Sequence, residues 1–254
     1  MGYFTIMNLK PYFTSNCLKL IAILAMTVDH GSDLLYPRFP AEPAPILLHL
    51  IGRLTAPIMW FFVCEGYHYT KDVKKYILRL GIFAVISHFA YCFGFGISLN
   101  PFEGSIFNRT SVMYPLFIAV VLLYLEDHAD RMKNWIRHLL QTVLIFSAFP
   151  ADWSCIAVLA ILGMYRERGN LERQMRKMIP WVFVYALVSY FFVSKTYAFV
   201  QVGVLMVYPI LKMYNGARGN AAWMKWFFYA YYPLHLAVIG ILRLMIYGDT
   251  NICL

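Results

Sequence analysis

Leu18-Lys19-Leu20-Ile21-Ala22-Ile23-Leu24-Ala25-Met26-Thr27-Val28-Asp29-His30 decides the class of this chain. The run is apolar enough to enter a bilayer with its flanks, yet it closes on a carboxylate and an imidazole. Charge in hydrocarbon is costly and is rarely kept there without a partner or a task. The pattern recurs, because Arg53, His88 and His235 also stand inside long apolar stretches.

Composition agrees with that reading. Of 254 residues, 61% are hydrophobic and only 14% charged, with aromatics at 18%, and mean hydropathy is +0.59. An ordinary soluble domain is far less apolar and more charged. The chain therefore reads as an all-α, polytopic integral membrane bundle forming one domain over residues 1–254, and no second, soluble domain is indicated. Lys10 and Lys19 before the first run resemble the start of a secretory signal. Against this, Asp29 and His30 interrupt its end, no small-residue cleavage site follows and further apolar runs succeed it. The first run is expected to be a retained helix. Five scattered cysteines, Cys17, Cys64, Cys92, Cys155 and Cys253, show no metal-ligand spacing.

A helical span needs about 20 residues. On that rule about nine transmembrane helices are expected, over 15–36, 45–69, 74–96, 111–125, 132–149, 152–165, 177–193, 196–214 and 221–247. With a cytoplasmic N-terminus, seventeen of the 22 Lys and Arg residues fall on the inner side. Arg38, Arg109 and Lys195 fall outside, and Arg53 and Arg243 lie within spans. The positive-inside rule gives this asymmetry for an inner (cytoplasmic) membrane protein. Basic loops beside anionic headgroups then account for the net charge of +9 without nucleic acid.

Helix rise places the polar groups. Asp29 and His30 lie roughly 20 Å along the first helix, and Arg53 descends about 10 Å from the outer end of the second. His88 and His235 climb roughly 20 Å along the third and last helices. All five are expected near one layer, flanked from outside by Asp152 and the segment Asn108 to Ser111. Asp29 and His30 are sequence neighbours about 100° apart, so they do not form a facing pair, whereas Asp29 and Asp33 share a face. An intramembrane Asp29–Arg53 ion pair is one reading. His30 is the better candidate for chemistry, since an imidazole exchanges a proton near neutral pH.

Glu65-Gly66-Tyr67-His68-Tyr69-Thr70-Lys71 closes the second helix on the inner side. Glu65 and His68 share a face, but two ligands without a third make a poor metal site, and no metal is expected. Lys71, Lys74, Lys75 and Arg79 build a basic face, suited either to lipid headgroups or to a phosphate-bearing cofactor. In the last helix Pro233 removes a backbone donor and is expected to distort the preceding turn. Trp226, Tyr229 and Tyr232 recur at three-residue steps, as an aromatic packing stripe or part of a site, and His235 follows.

These segments resemble the TraX family of integral membrane acetyltransferases, associated with N-terminal acetylation of conjugative pilin. The resemblance runs through Leu18 to Ala22, Met26-Thr27-Val28-Asp29-His30-Gly31, Ile51-Gly52-Arg53-Leu54-Thr55-Ala56-Pro57, Glu65 to Thr70 and Lys75 to Leu80. It continues in Tyr214-Asn215-Gly216-Ala217-Arg218-Gly219 and Phe228-Tyr229-Ala230-Tyr231-Tyr232-Pro233-Leu234-His235. The family is similar to a wider group of membrane acyltransferases, including the lysosomal heparan glucosaminide N-acetyltransferase and bacterial O-acyltransferases acting on surface sugars.

The resemblance implies transfer of an acetyl group from acetyl-CoA to an amine or hydroxyl of a peptide, sugar or small-amine acceptor. It implies His30 as the acyl-transfer histidine, with Asp29 and Arg53 as support. Arg53, Tyr232 or His235 would stabilise the oxyanion. Lys71, Lys74, Lys75, Arg79, Arg218 and Lys225, with Tyr229 and Tyr232, would bind the donor from the cytoplasm. Direct transfer and a covalent acetyl-histidine route both remain open. The competing class is a proton- or anion-coupled transporter, which the buried ionisable groups also fit. The hydropathy pattern shows no inverted repeat to favour it.

Overall fold

Thr14 sets the start of the first helix, α1 (Ser15–Leu35), by accepting the Cys17 backbone N–H on its hydroxyl, which satisfies one of the donors a helix N-terminus leaves open. The protein is seen in a computed structural model that describes residues 12–37, 40–100, 103, 105–221 and 223–249. Lys10, Arg38 and Cys253, and the side chain of Arg131, lie outside the described residues.

Pro43 opens α2 (Pro43–Gly52), where its missing N–H costs nothing. A break at Arg53–Leu54 separates it from α3 (Thr55–Tyr69). Pro57 explains the break, since its ring clashes with the carbonyl four residues earlier, that of Arg53, and supplies no donor to it. Asp72 then caps α4 (Val73–Phe95) through the Lys75 N–H at 3.0 Å. That N–H and the Lys75 ammonium hold the Asp72 carboxyl below the usual carboxylate range. Gly96, left-handed at φ 65°, ends α4.

Three short helices follow, α5 (Met113–Asp127), α6 (Asn134–Ser147) and α7 (Ser154–Arg166). Asn170 caps α8 (Leu171–Phe192) and Ser194 caps α9 (Lys195–Gln201). A 3-10 turn, Val202–Met206, joins α9 to α10 (Val207–Lys212). Last is α11 (Met224–Tyr247), ended by Gly248 at φ 74°. Pro233 lies inside α11 without breaking it.

With α2–α3 and α9–α10 each taken as one interrupted rod, the described residues form a nine-helix bundle with no sheet. The expectation of about nine helices is met, and that of about nine membrane crossings is supported for three. By length and composition, three helices among the described residues are long and apolar enough to cross, Pro43–Tyr69, Val73–Phe95 and Met224–Tyr247. Four of the others fall short for identifiable reasons. α5, α6 and α7 have 15, 14 and 13 residues, a rise of about 20 Å against a hydrocarbon core of about 30 Å. α8 opens with Glu172, Arg173, Arg176 and Lys177.

α1 and α11 run parallel, as the contacts Thr27–Tyr231, His30–His235 and Leu34–Tyr247 show in sequence. α4 lies against α11, where a Cβ on Gly94 would come 2.8 Å from the Leu236 carbonyl oxygen and one on Gly240 2.5 Å from the Phe93 ring. Only glycine permits this approach. α2–α3 runs back along α1, Thr55 donating its hydroxyl to the Ala22 carbonyl at 3.0 Å. The core centres on α3, α5 and α7, where Trp60, Leu122, Leu123, Ile161 and Met164 are fully buried and Ala119, Ala157 and Ala160 let the helices close. Outward faces stay apolar, with Leu78, Val85 and Phe89 on α4, Val143 on α6, Leu187 on α8 and Val238 on α11 exposed. So extensive an exposed apolar surface marks contact with lipid. Together with the three candidate spans it gives a membrane-associated, multi-pass protein.

Candidate functional site

One face of α1 walls a cavity of about 460 Å³ with Ala22, Ile23, Met26, Asp29, His30 and Asp33. Their spacings of three and four are those of a single helix face. Opposite stand the broken α2–α3 rod, the C-terminal end of α4, and the aromatic rings of Trp153, Tyr197 and Tyr232. The volume lies in the range of small-molecule sites.

Asp29 is the electrostatic node. Its Oδ2 accepts the Arg53 Nη2–H at 2.6 Å, and its Oδ1 meets His49 Nδ1 at 2.8 Å. His49 Nε2 faces Asp33 at 3.7 Å, so this imidazole stands between two carboxylates. Arg53 donates from each of its other two nitrogens as well: Nη1 to Gln201 Oε1 at 3.2 Å and Nε to the His49 carbonyl at 3.3 Å. Its guanidinium also lies 5.7 Å from the Trp153 ring and 5.9 Å from that of Tyr197, contacts that favour a planar cation. Gly52 makes the node possible, since a Cβ there would fall 2.2 Å from Asp29 Oδ1.

Trp153 reaches Arg53 from an unusual backbone. Trp153 and Ser154 both have positive φ, 61° and 50°, a region that costs a non-glycine residue energy and persists only where surroundings hold it. Here the ring is held edge-on to Trp60 at 5.1 Å and stacked on Tyr185 at 4.7 Å.

His30 has a different partner. Its Nδ1 lies 2.8 Å from His235 Nε2, with the two ring planes within 6° of parallel. His235 Nδ1 lies 3.0 Å from the Tyr231 carbonyl, which only accepts, so His235 carries its proton on Nδ1. With both imidazoles neutral, His235 Nε2 is then the acceptor and His30 Nδ1 the donor. His30 Nε2 is left as an unprotonated nitrogen with no protein hydrogen bond among the described residues. The stack continues behind this pair. The Tyr231 ring lies 5.3 Å from that of His235, and its hydroxyl donates to Thr27 Oγ1 at 2.7 Å, the threonine hydroxyl being spent on the Ile23 carbonyl.

The structure therefore sorts the expected residues. Asp29, His30, Arg53 and Tyr232 line the cavity, whereas His235 stands behind His30 and is not part of the wall. Asp29 and Arg53 pair with each other and with His49, and the hydrogen-bond partner of His30 is His235. His88 does not line the cavity; its Nδ1 meets Thr110 Oγ1 at 3.0 Å on a separate apolar groove. Asp152 and Asn108 line the cavity, and the Asp152 N–H is fixed by the Thr110 carbonyl at 2.8 Å.

The basic candidates also separate. Lys71, Lys74 and Lys75 are exposed, and Lys75 pairs with Asp72 at 3.2 Å. Arg79 lies against Tyr76 and Tyr229, and Arg79 and Arg218 both face Lys225. Tyr229 stacks on Phe83 at 5.0 Å outside the cavity wall. Glu65 pairs with Arg168 at 2.9 Å and His68 packs on Tyr69, so those two side chains serve other contacts. Among the described residues no cluster of three His, Cys, Asp or Glu side chains is placed to hold a metal.

His49, Gln201 and Trp153 were not singled out from sequence. A signal existed for one of them, because His49 is four residues before Arg53 and so shares its helix face. Gln201 and Trp153 come from remote elements and had none.

The family model described as TraX protein matches residues 14–243. A probable fimbrial assembly protein, FimC of serogroup H1, from Dichelobacter nodosus is 27% identical, the alignment covering 89% of this chain and 94% of that protein. An uncharacterized protein of Rickettsia prowazekii (strain Madrid E) is 34% identical over 65 residues, 26% of this chain and 23% of its own length. No solved structure matches the chain.

Proposed function

The chain belongs to the TraX family, and from that premise we propose that it is a membrane-embedded acetyltransferase. It would move an acetyl group from acetyl-CoA to an amine or hydroxyl acceptor with His30 as general base. Family membership and the apolar helices support membrane-associated acyl transfer in general terms. The geometry that carries the finer reading is the hydrogen-bond chain Tyr231 carbonyl, His235, His30, which leaves an unprotonated ring nitrogen on a residue of the cavity wall.

In this scheme His30 Nε2 takes the proton from the acceptor as its nitrogen or oxygen bonds to the thioester carbonyl carbon. When the carbon–sulfur bond breaks, the same proton returns from His30 to the departing thiolate. His235 acts as a positioning residue, holding the tautomer and the ring plane. Tyr232 is the wall donor best suited to the developing oxyanion, because Arg53 is already committed to Asp29 and Gln201. Asp29, Arg53 and His49 keep the α1 and α2 walls in register. The basic end of the bundle would lie in the cytoplasm of an inner-membrane protein, and the acceptor would enter beside Asn108 and Ser194 at the other end.

The test is release of free CoA thiol by purified protein in lipid nanodiscs, with peptide N-terminal amines tried first because the Dichelobacter relative is named for fimbrial assembly. Amino sugars and hydroxyl acceptors follow. His30→Ala is expected to lower turnover by about 10²- to 10⁴-fold, the usual contribution of a positioned acid–base group. Undiminished turnover in His30→Ala would overturn the assignment.

A further inference from the structure

Lys19 begins the α1 face that goes on, at spacings of three and four, through Ala22, Ile23, Met26, His30 and Asp33 along the cavity. Its ammonium lies 4.9 Å from the Phe62 ring centroid and 5.6 Å from that of Phe228, and Phe228 itself lines the cavity. Lys19 thus stands where the cavity meets the basic end of the bundle. Among the described residues no carboxylate is paired with it; the charge that faces it is Arg218.

Arg218 is fixed there by the start of α1. The backbone N–H groups of Ser15 and Asn16 donate to the Ala217 and Arg218 carbonyls at 2.8 and 3.2 Å, and Gly216 and Gly219, with φ of 77° and 89°, let the loop turn around them. Lys225 in turn faces Arg79 and Arg218, and Arg79 Nε is buried with no protein hydrogen-bond partner. Four cations thus gather at one mouth, and no ion pair with an acid neutralises any of them among the described residues. Like charges brought together repel, so the arrangement calls for a multiply charged anion.

The length of α1 indicates which anion. Lys19 and His30 are eleven residues apart on one helix, about 16 Å along its axis. The arm of coenzyme A between diphosphate and sulfur has two amide-linked units and about thirteen chain bonds, and the reach of an extended chain gives it roughly 15 Å.

We propose that Lys19, with Arg79, Arg218 and Lys225, is the phosphate-binding mouth for the donor nucleotide. Lys19 grips the diphosphate at the root of the arm, one arm's length below His30. The assignment rests on the acetyl-CoA reading above and moves donor binding away from Lys71, Lys74 and Lys75. Lys19 is a binding residue that sets where the thioester stops.

The experiment compares acetyl-CoA with S-acetylpantetheine, which has the arm and thioester but no phosphate, in wild type, Lys19→Gln and Lys19→Arg. Lys19→Gln is expected to raise KM for acetyl-CoA roughly tenfold or more, the usual loss for one charge-assisted hydrogen bond, with kcat nearly unchanged. Its constants for S-acetylpantetheine should match wild type, and Lys19→Arg should recover most of the acetyl-CoA binding. Calorimetry with free CoA gives a readout independent of turnover, with Kd raised by a similar factor in Lys19→Gln. Equal effects on both donors, or an unchanged Kd for CoA in a Lys19→Gln protein with wild-type melting temperature, overturn the inference. So does a Lys71→Ala/Lys74→Ala/Lys75→Ala protein that alone loses CoA affinity. Wild type that binds CoA in a Lys19-dependent way but turns nothing over sinks the acyltransfer reading and leaves the phosphate site standing; wild type that binds no CoA sinks both.

Discussion

Replacing His235 by Phe tests the tautomer argument directly. The substitution keeps an aromatic ring beside Tyr231 but removes the nitrogen 2.8 Å from His30 Nδ1. A buried donor left without an acceptor costs about 1–3 kcal/mol. His30 escapes that cost by moving its proton to Nε2, which converts the cavity-side base into a donor. Since each 1.36 kcal/mol is tenfold in rate, turnover should fall about tenfold to a hundredfold with little change in KM for the donor. His235→Gln supplies an amide oxygen in about the position of Nε2 and should restore most of the loss. The assay is CoA thiol release in nanodiscs, read alongside the melting temperature so that unfolding is separated from chemistry. Equal losses in the Phe and Gln proteins, or wild-type turnover in His235→Phe while His30→Ala is inactive, would refute the reasoning.

Other substitutions report on the supporting network. Arg53→Met strands Asp29 with His49 alone and should cost about 3–5 kcal/mol in detergent unfolding, while the Arg53→Met/Asp29→Asn double variant should lose less than the two single variants summed. Gly52→Ala forces a Cβ to within 2.2 Å of Asp29 Oδ1 and should cost about 1–3 kcal/mol as overpacking; an unchanged melting temperature would mean the α1–α2 contact is looser than described. Asp72 supplies a pH prediction, because its carboxyl is held low by Lys75. The cap is therefore complete above the unfolded value of about 3.9 and is lost only as pH falls through the lower folded value. Hydrogen exchange in the first turn of α4 should stay slow down to that acid limit, and Asp72→Ala should speed it at neutral pH.

Much of this protein is legible from the order of its residues. The apolar runs give the helical class, because hydrocarbon leaves a chain little choice but to satisfy its backbone within helices. Pro57 marks the α2–α3 break, although sequence reading spans 45–69 with one helix, since a proline inside a membrane helix is often absorbed without a break, as Pro233 is in α11. Depth and charge make Arg53 a candidate partner for Asp29, because a buried carboxylate needs a cation. His49 was legible only in hindsight from its i,i+4 relation to Arg53.

What the residue order determined was class, approximate depth and the need for Asp29 to be paired, since hydropathy, helix rise and desolvation are properties of local composition. Tertiary structure alone decided who pairs with whom. Azimuth around each helix and the packing of neighbours turn His30 toward His235 and away from Asp29, put Trp153 and Gln201 on Arg53, and send His88 to another face. Nor did depth reveal that, among the described residues, three helices are long and apolar enough to cross, because apolar runs of 13 to 15 residues look alike whether they meet lipid or protein. Those choices depend on contacts between segments distant along the chain, and no local stretch encodes them.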